Sequence, residues 1–237
     1  MTIGVIIQAR TGSTRLPYKV CKPLGDSTVL GQIIKRCRNV GQRYNVILAV
    51  PEKDLFELGA IADLFGVSTF GGSENDVLDR YYQCAKKYEL THIVRITADC
   101  PFVDPDIIRL VSDVLLNNPQ YDYVSNVGVR TWPKGLDVEA FTFEALAYAK
   151  RCCASPYDLE HVTVWLRSDD AYRISCANLR CPIPGIRNLR FVIDYPSDLE
   201  FARKVWPLLP ANFGWRDILS VLQSHPEISN PREEKAA

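Results

Sequence analysis

The run Gln8-Ala9-Arg10-Thr11-Gly12-Ser13-Thr14-Arg15-Leu16-Pro17-Tyr18-Lys19 gathers three cations, three aliphatic hydroxyls and one glycine into twelve residues. Backbone N–H groups around Gly12 can form an anion-binding concavity, and Arg10, Arg15 and Lys19 can offset the charge of a triphosphate and of a departing pyrophosphate. The run is neither a Walker P-loop nor a dinucleotide GxGxxG, because both glycine spacings are missing. By composition alone it reads equally well as a solvated surface turn.

Further candidates lie downstream. Asp99 closes an apolar run and is followed by Cys100 and Pro101, so the chain cannot continue regularly past that carboxylate. Gly71-Gly72-Ser73 is a small-residue stretch that lets a flat base or a ribose approach the backbone closely. Asp137 and Glu139 alternate along an extended segment and so face one way, and the loop before them supplies Arg130, Trp132 and Lys134. Carboxylates bind sugar hydroxyls or an amino group, and arginine or lysine binds a carboxylate or phosphate. This cluster is therefore a candidate acceptor pocket, with exposed surface charge as the competing explanation. Glu160-His161 follows the helix start Ser155-Pro156. His161 is a candidate general base with Glu160 or another carboxylate as its orienter, and a structural histidine is the alternative.

Such chemistry requires a frame that brings loop and carboxylate to one edge. Short β-branched runs alternate with helical patterns through the first half: Ile3 to Gln8, then Val29 to Arg38; Asn45 to Val50, then Leu55 to Phe65; Val67 to Phe70, then Val77 to Tyr88; Thr91 to Thr97, then Asp106 to Leu116. That alternation predicts a parallel sheet with helices on both faces, and right-handed crossovers place the strand carboxyl ends along one edge, where ligands bind. From Tyr121 the pattern changes to short extended pieces at Tyr121 to Ser125, Asp137 to Phe141 and Arg173 to Ala177, with helices near Thr142 to Arg151 and Asp158 to Arg167. It reads as an antiparallel insertion, about 121–180, that forms a lid or acceptor pocket. Leu189 to Ile193 returns to a buried strand, followed by helices near Ser197 to Val205 and Trp215 to Gln223. The expected architecture is a single α/β domain over 1–225, a Rossmann-like three-layer αβα fold, with a disordered tail at 226–237.

Composition narrows the function classes. The 237 residues hold 28 Lys+Arg against 28 Asp+Glu, and no basic track suited to a nucleic-acid backbone stands out. No stretch approaches the roughly 18 apolar residues of a membrane span, and the apolar run at the start is too short for a signal-peptide core. A cytoplasmic protein without nucleic-acid or membrane partners is expected. The eight cysteines include no CxxC pair and are read as reduced thiols without a metal.

The run from Ile7 to Lys19 resembles the opening motif of the CMP-sugar synthetases, the family of CMP-KDO and acylneuraminate cytidylyltransferases, in its spore-coat polysaccharide biosynthesis (SpsF) branch. Further similar stretches are Gly71 to Tyr82, Arg95 to Pro101, Gly135 to Glu139, Glu160 to Thr163 and Asp194 to Asp198. The resemblance implies a nucleotidyltransferase fold and transfer of CMP from CTP to an acceptor hydroxyl, with Mg²⁺ and release of pyrophosphate. It implies metal ligation by Asp99 and Asp194, catalytic roles for Arg10, Arg15, Lys19 and Asp99, and nucleotide contacts from Gln8, Ala9, Arg10, Gly12, Ser13, Lys19, Gly72, Ser73 and Arg80. Asp198 is assigned to helix capping. For Asp79-Arg80 an ordinary helix-surface ion pair stands beside the base-contact role. The resemblance points to a sugar or sugar acid as acceptor and to a homodimer. Two other readings stay open: a nucleotide-sugar-dependent glycosyltransferase, against which the lone carboxylate of Asp99-Cys100-Pro101 argues, and a noncatalytic nucleotide-binding module.

Overall fold

The structure, a computed structural model, describes residues 1–230. Its centre is β1 (Ile3–Gln8), whose first five residues are buried. Val5 and Ile7 enter one hydrophobic cluster and Ile6 the other, so both faces of the strand are covered, which is why its sequence is continuously apolar instead of alternating.

The chain continues through a small hairpin, β2 (Pro23–Leu24) and β3 (Ser27–Thr28), into α1 (Val29–Arg38), β4 (Tyr44–Pro51), α2 (Leu55–Asp63), β5 (Ser68–Gly72), α3 (Val77–Lys87), β6 (His92–Thr97) and α4 (Pro105–Asn117). The helix starts carry their own signals. Thr28 accepts the Gly31 N–H at 3.0 Å, Asp76 that of Asp79 at 2.7 Å, and Asp104, before Pro105, that of Asp106 at 2.7 Å. Each such cap contributes about 1 kcal/mol. Then follow β7 (Tyr123–Ser125), β8 (Glu139–Thr142), α5 (Phe143–Cys152), α6 (Pro156–His161), β9 (Cys176–Asn178), α7 (Pro196–Val205) and α8 (Trp215–Ser224).

One seven-stranded sheet has the order β5-β4-β1-β6-β8-β7-β9. Strands β5, β4, β1 and β6 are parallel, β8 runs antiparallel to both β6 and β7, and β7 and β9 are parallel. One cluster joins α1, α2, α4, α7 and α8 to one face, and the other joins α3 and α5 to the opposite face, giving the three-layer αβα arrangement. From β1 the chain builds outward to β4 and β5 and then returns to β6 on the other side. The crevice at the carboxyl ends of β1 and β6, where Gln8 faces Thr97 in register, is the topological switch point.

Several expectations change in detail. The segment 121–180 extends the main sheet through β7, β8 and β9, with α5 packed on it. The helix expected over Asp158 to Arg167 ends at His161, because Val162 takes φ 60° and ψ −59° and a separate 3₁₀ turn covers Trp165–Arg167. The β-branched run Val162-Thr163-Val164 disfavours continuing the helix. Leu189 to Ile193 is extended but forms no strand. It lies between the Lys134 loop and the Asp99 turn, with Phe191 N–H on Lys134 O and Ile193 N–H on Asp99 O, both 2.7 Å. Gly135, at φ 102°, makes this approach feasible, since a Cβ there would lie 2.4 Å from the Phe191 carbonyl carbon.

Of the tail expected to be disordered, Pro226 to Asn230 is tied down. The Asn230 side chain accepts from Arg190 N–H at 2.8 Å and donates to Arg190 O at 2.9 Å, and Ile228 packs on the core. Residues 231–237 lie outside the described residues. All eight cysteines are free. No helix among the described residues is long and apolar enough to cross a membrane.

Candidate active site

At the switch point opens a cavity of about 750 Å³, lined by eight arginine or lysine residues against five aspartate or glutamate residues. In a chain of zero net charge, that local excess suits an anion. The loop after β1 supplies part of it. Its backbone is folded back on itself by Tyr18 N–H to Thr11 O at 3.2 Å, and Tyr18 sits at φ 54°. Buried Asp54 fixes the loop's near end by accepting Thr11 N–H at 3.0 Å and Thr11 Oγ1–H at 2.7 Å. The N–H groups of Gly12, Thr14 and Arg15 have no acceptor among the described residues, so they are available to a ligand oxygen.

Lys19 carries the loop across to the turn after β6 and to the extended stretch before α7. Its Nζ donates to Asp99 Oδ2 at 3.1 Å, Asp194 Oδ1 at 2.9 Å and Ile193 O at 2.9 Å. Both carboxylates thus converge on one point although 95 residues separate them in sequence. Burial alone would lower the pKa of Lys19, but Asp99 and Asp194 outweigh it and the ammonium's pKa is raised. Burial would likewise raise both aspartates, and Lys19 reverses it; hydrogen bonds from Lys19 and Arg190 further depress Asp194. Arg190 bridges Asp194 Oδ2 at 2.9 Å and both oxygens of Asp198 at 2.9 and 3.0 Å. Asp198 also accepts the N–H groups of Asp194 and Tyr195 at 2.8 and 2.9 Å, the capping geometry assigned to it. Arg15 stacks over Tyr195, 4.8 Å from the ring centre, and donates to its hydroxyl at 3.1 Å.

The opposite end of the cavity is built from pairs. Arg95 meets Glu139 at 3.0 Å, and Thr163 Oγ1 donates to the same Glu139 oxygen at 2.5 Å. Arg130 grips Asp137 in bidentate fashion at 2.8 and 3.2 Å. Thr163 is held by a tight turn in which its N–H reaches His161 O at 2.6 Å across Val162. That is the uncommon, strained form of γ-turn, here at a fully buried β-branched residue. His161 packs against the Tyr157 ring at 4.3 Å, and Glu160 reaches across the mouth to Arg10 at 3.4 Å.

The cavity brings together Gln8, Ala9, Arg10, Gly12, Ser13, Arg15, Lys19, Arg80, Asp99, Arg130, Lys134, Asp137, Glu139, Glu160, His161 and Asp194. Gly72 and Ser73 stand apart from its lining. Gly72 ends β5, where a Cβ would lie 2.9 Å from Arg80 Cγ, and Ser73 O accepts Arg80 Nη1–H at 2.6 Å. They seat Arg80, which is itself buried, with its Nε unpartnered among the described residues. The sequence reading missed Arg95, Thr163, Arg167, Arg190 and Asp54. Arg95 was accessible by strand alternation, since it shares a face with Thr97; the others lie on turns or far segments with no periodic signal.

A mostly parallel sheet with a basic cavity at its switch point and two carboxylates beside a cationic loop has the architecture of a nucleotidyltransferase. The comparisons fix the family. Residues 4–224 match the cytidylyltransferase family, and the chain belongs to it. It is 30% identical to the spore coat polysaccharide biosynthesis protein SpsF of Bacillus subtilis, over 96% of this chain and 97% of that one. A cytidylyltransferase structure from Leptospira borgpetersenii superposes with a TM-score of 0.92 at 31% identity, covering 100% of this chain and 99% of that one. A CMP:2-keto-3-deoxy-manno-octonic acid synthetase complexed with CTP shares the fold, with a TM-score of 0.69 at 16% identity over 88% of this chain and 99% of that one.

Proposed function

We propose that this enzyme transfers CMP from CTP to a hydroxyl of a sugar or sugar acid destined for a surface polysaccharide, releasing pyrophosphate in the cytoplasm. The observation that carries the reading is the convergence of Asp99 and Asp194 on Lys19, beside the Arg10 to Lys19 loop, in one cavity. Arg10, Arg15, Lys19 and the open N–H groups of the loop bind the β and γ phosphates and stabilise charge as pyrophosphate departs. Arg80 and the Gln8 amide, whose Oε1 is buried without a partner among the described residues, lie where the nucleoside enters.

Mg²⁺ fits the donors present. Asp99 and Asp194 offer hard carboxylate oxygens, and Mg²⁺ takes one or two carboxylates with phosphate oxygens and water completing its shell. Among the described residues no third acidic, His or Cys ligand joins them, consistent with a site shared with substrate. When bound there, it would supply Lewis-acid polarisation of the phosphate and acceptor oxygens. Glu139, held by Arg95 and Thr163, and Asp137, held by Arg130, receive acceptor hydroxyls, and His161 stands at that end as the group that takes the attacking hydroxyl's proton. The pairing fixes these side chains before substrate arrives, which favours positioning over a covalent intermediate.

The test is a matrix of four nucleoside triphosphates against sugar and sugar-acid acceptors with pyrophosphate as readout. CTP-dependent pyrophosphate release with a subset of acceptors is expected. Release of a nucleoside diphosphate from nucleotide sugars would instead identify a glycosyltransferase, and CTP binding with no turnover a noncatalytic module.

A further inference from the structure

Arg130 lines a second crevice of about 300 Å³, with Arg180, Arg187, Ile183 and Pro184 among its other walls. The crevice is preformed. Trp132 Nε1–H donates to Leu179 O at 3.0 Å and Cys181 N–H to Thr131 Oγ1 at 2.8 Å, which pins the 179–187 loop against the acceptor loop. The stretch from Leu179 to Arg190 contains three arginines and no acidic residue, in a chain whose charges balance overall. Arg190 is committed to Asp194 and Asp198, whereas Arg180 and Arg187 meet no acidic side chain among the described residues. Arg130 already has Asp137 as its counter-charge, so the uncompensated charge at the crevice is that of exposed Arg180 and Arg187, whose planar forks match carboxylate or phosphate.

We propose that this crevice is a second anion subsite for the acceptor. The acceptor is then an elongated molecule with an acidic group, phosphate or carboxylate, distal to the hydroxyl that receives the nucleotide. Arg130 is the junction: one side faces Asp137 in the main cavity and the other lines the crevice. The inference rests on the transferase reading of the main cavity and deepens it.

The experiment uses the full chain labelled with ¹⁵N at arginine and saturated with CTP and Mg²⁺, so that the phosphate loop is already filled. Inorganic phosphate and acetate are titrated in while the arginine Nε–H signals are followed, with Arg180→Ala and Arg187→Ala supplying assignments. Saturable shifts of the Arg180 and Arg187 signals with either anion are expected. Binding of gluconate and of 6-phosphogluconate to the same complex is then compared by calorimetry. 6-Phosphogluconate should bind about tenfold tighter than gluconate, and the Arg180→Ala/Arg187→Ala double variant should bring the two within about twofold while leaving CTP affinity unchanged. Unmoved Arg180 and Arg187 signals in a CTP-saturated protein, or equal affinities for the two sugar acids, would overturn the subsite alone. Failure of CTP to bind at all would defeat the transferase reading beneath it.

Discussion

At the phosphate-loop end of the cavity, charge comes from one short stretch of chain, and its most buried member, Lys19, is held by two carboxylates from distant segments, the turn after β6 and the extended stretch before α7. At the end proposed to hold the acceptor, each grip is a pair between segments: Arg95 with Glu139 lies 44 residues apart in sequence, and Thr163 reaches Glu139 across another 24. The first end pairs its cations too, but Arg10 and Arg15 stay about half exposed and three loop N–H groups have no acceptor among the described residues, so a negatively charged ligand can reach them. The second neutralises most of its charge internally and offers fixed hydrogen-bonding geometry. An end with exposed cations and open N–H groups suits a ligand chosen by charge, whereas an end buried in fixed pairs suits one chosen by shape.

The largest expected effect tests the carboxylate side of that contrast. Asp99→Asn should reduce pyrophosphate release by about a thousandfold or more while near-UV circular dichroism stays unchanged. Turnover at the wild-type rate would break the metal assignment. Lys19→Met should come next in lost activity and urea stability, because it leaves partly buried Asp99 without its cation while Arg190 still holds Asp194.

That variant also has a pH signature. Asp99 and Asp194 are lowered against burial chiefly by Lys19, so their stabilisation is present above the unfolded carboxylate value of about 3.9 and is lost as pH falls through the depressed folded values. Without Lys19 the depression weakens, and the midpoint of acid unfolding should move to higher pH in urea melts recorded from about pH 2 to pH 6. An unchanged midpoint would mean that Lys19 does not hold the Asp99 turn and the Asp194 segment together.

A smaller effect probes the paired end. At φ 60°, Val162 carries strain that glycine escapes and alanine does not. Both truncations lose buried packing, but Val162→Gly should be the more stable of the two by about 1 kcal/mol in urea denaturation, reversing the usual helix and strand order. If alanine is the better tolerated, the strained turn is not what holds Thr163 on Glu139. The smallest expected change is at the mouth. Arg10 and Glu160 are each half exposed, so Glu160→Gln should alter stability by less than about 0.5 kcal/mol, and a larger loss would show that the mouth is closed more firmly than a surface pair allows.

Much of the nucleotide half was legible along the chain. The Ile3 to Gln8 strand, the helices from Val29 and Val77, and the loop from Gln8 to Lys19 follow from periodicity and composition, both of which are local. Asp99, two residues past the end of β6, was marked by the apolar run before it and by Pro101. Less of the acceptor half was visible. Nothing near Val162 announces a left-handed backbone, and nothing around residue 190 says that an arginine there will orient Asp194 and Asp198. The expected strand at Leu189 to Ile193 was apolar enough to be one, yet its backbone hydrogen bonds go to the Lys134 loop and the Asp99 turn instead of to the sheet.

The sequence by itself determined which residues can carry charge, where helices begin, and that the core strands must be covered on both faces, because these depend on neighbours a few positions away. Only the tertiary structure decided that Asp99 and Asp194 share Lys19, that Glu139 belongs to Arg95 and Thr163, and that Arg130 stands between two cavities. Those pairings are set by packing between distant segments, and no local pattern encodes the distance between two side chains that only a folded core brings together.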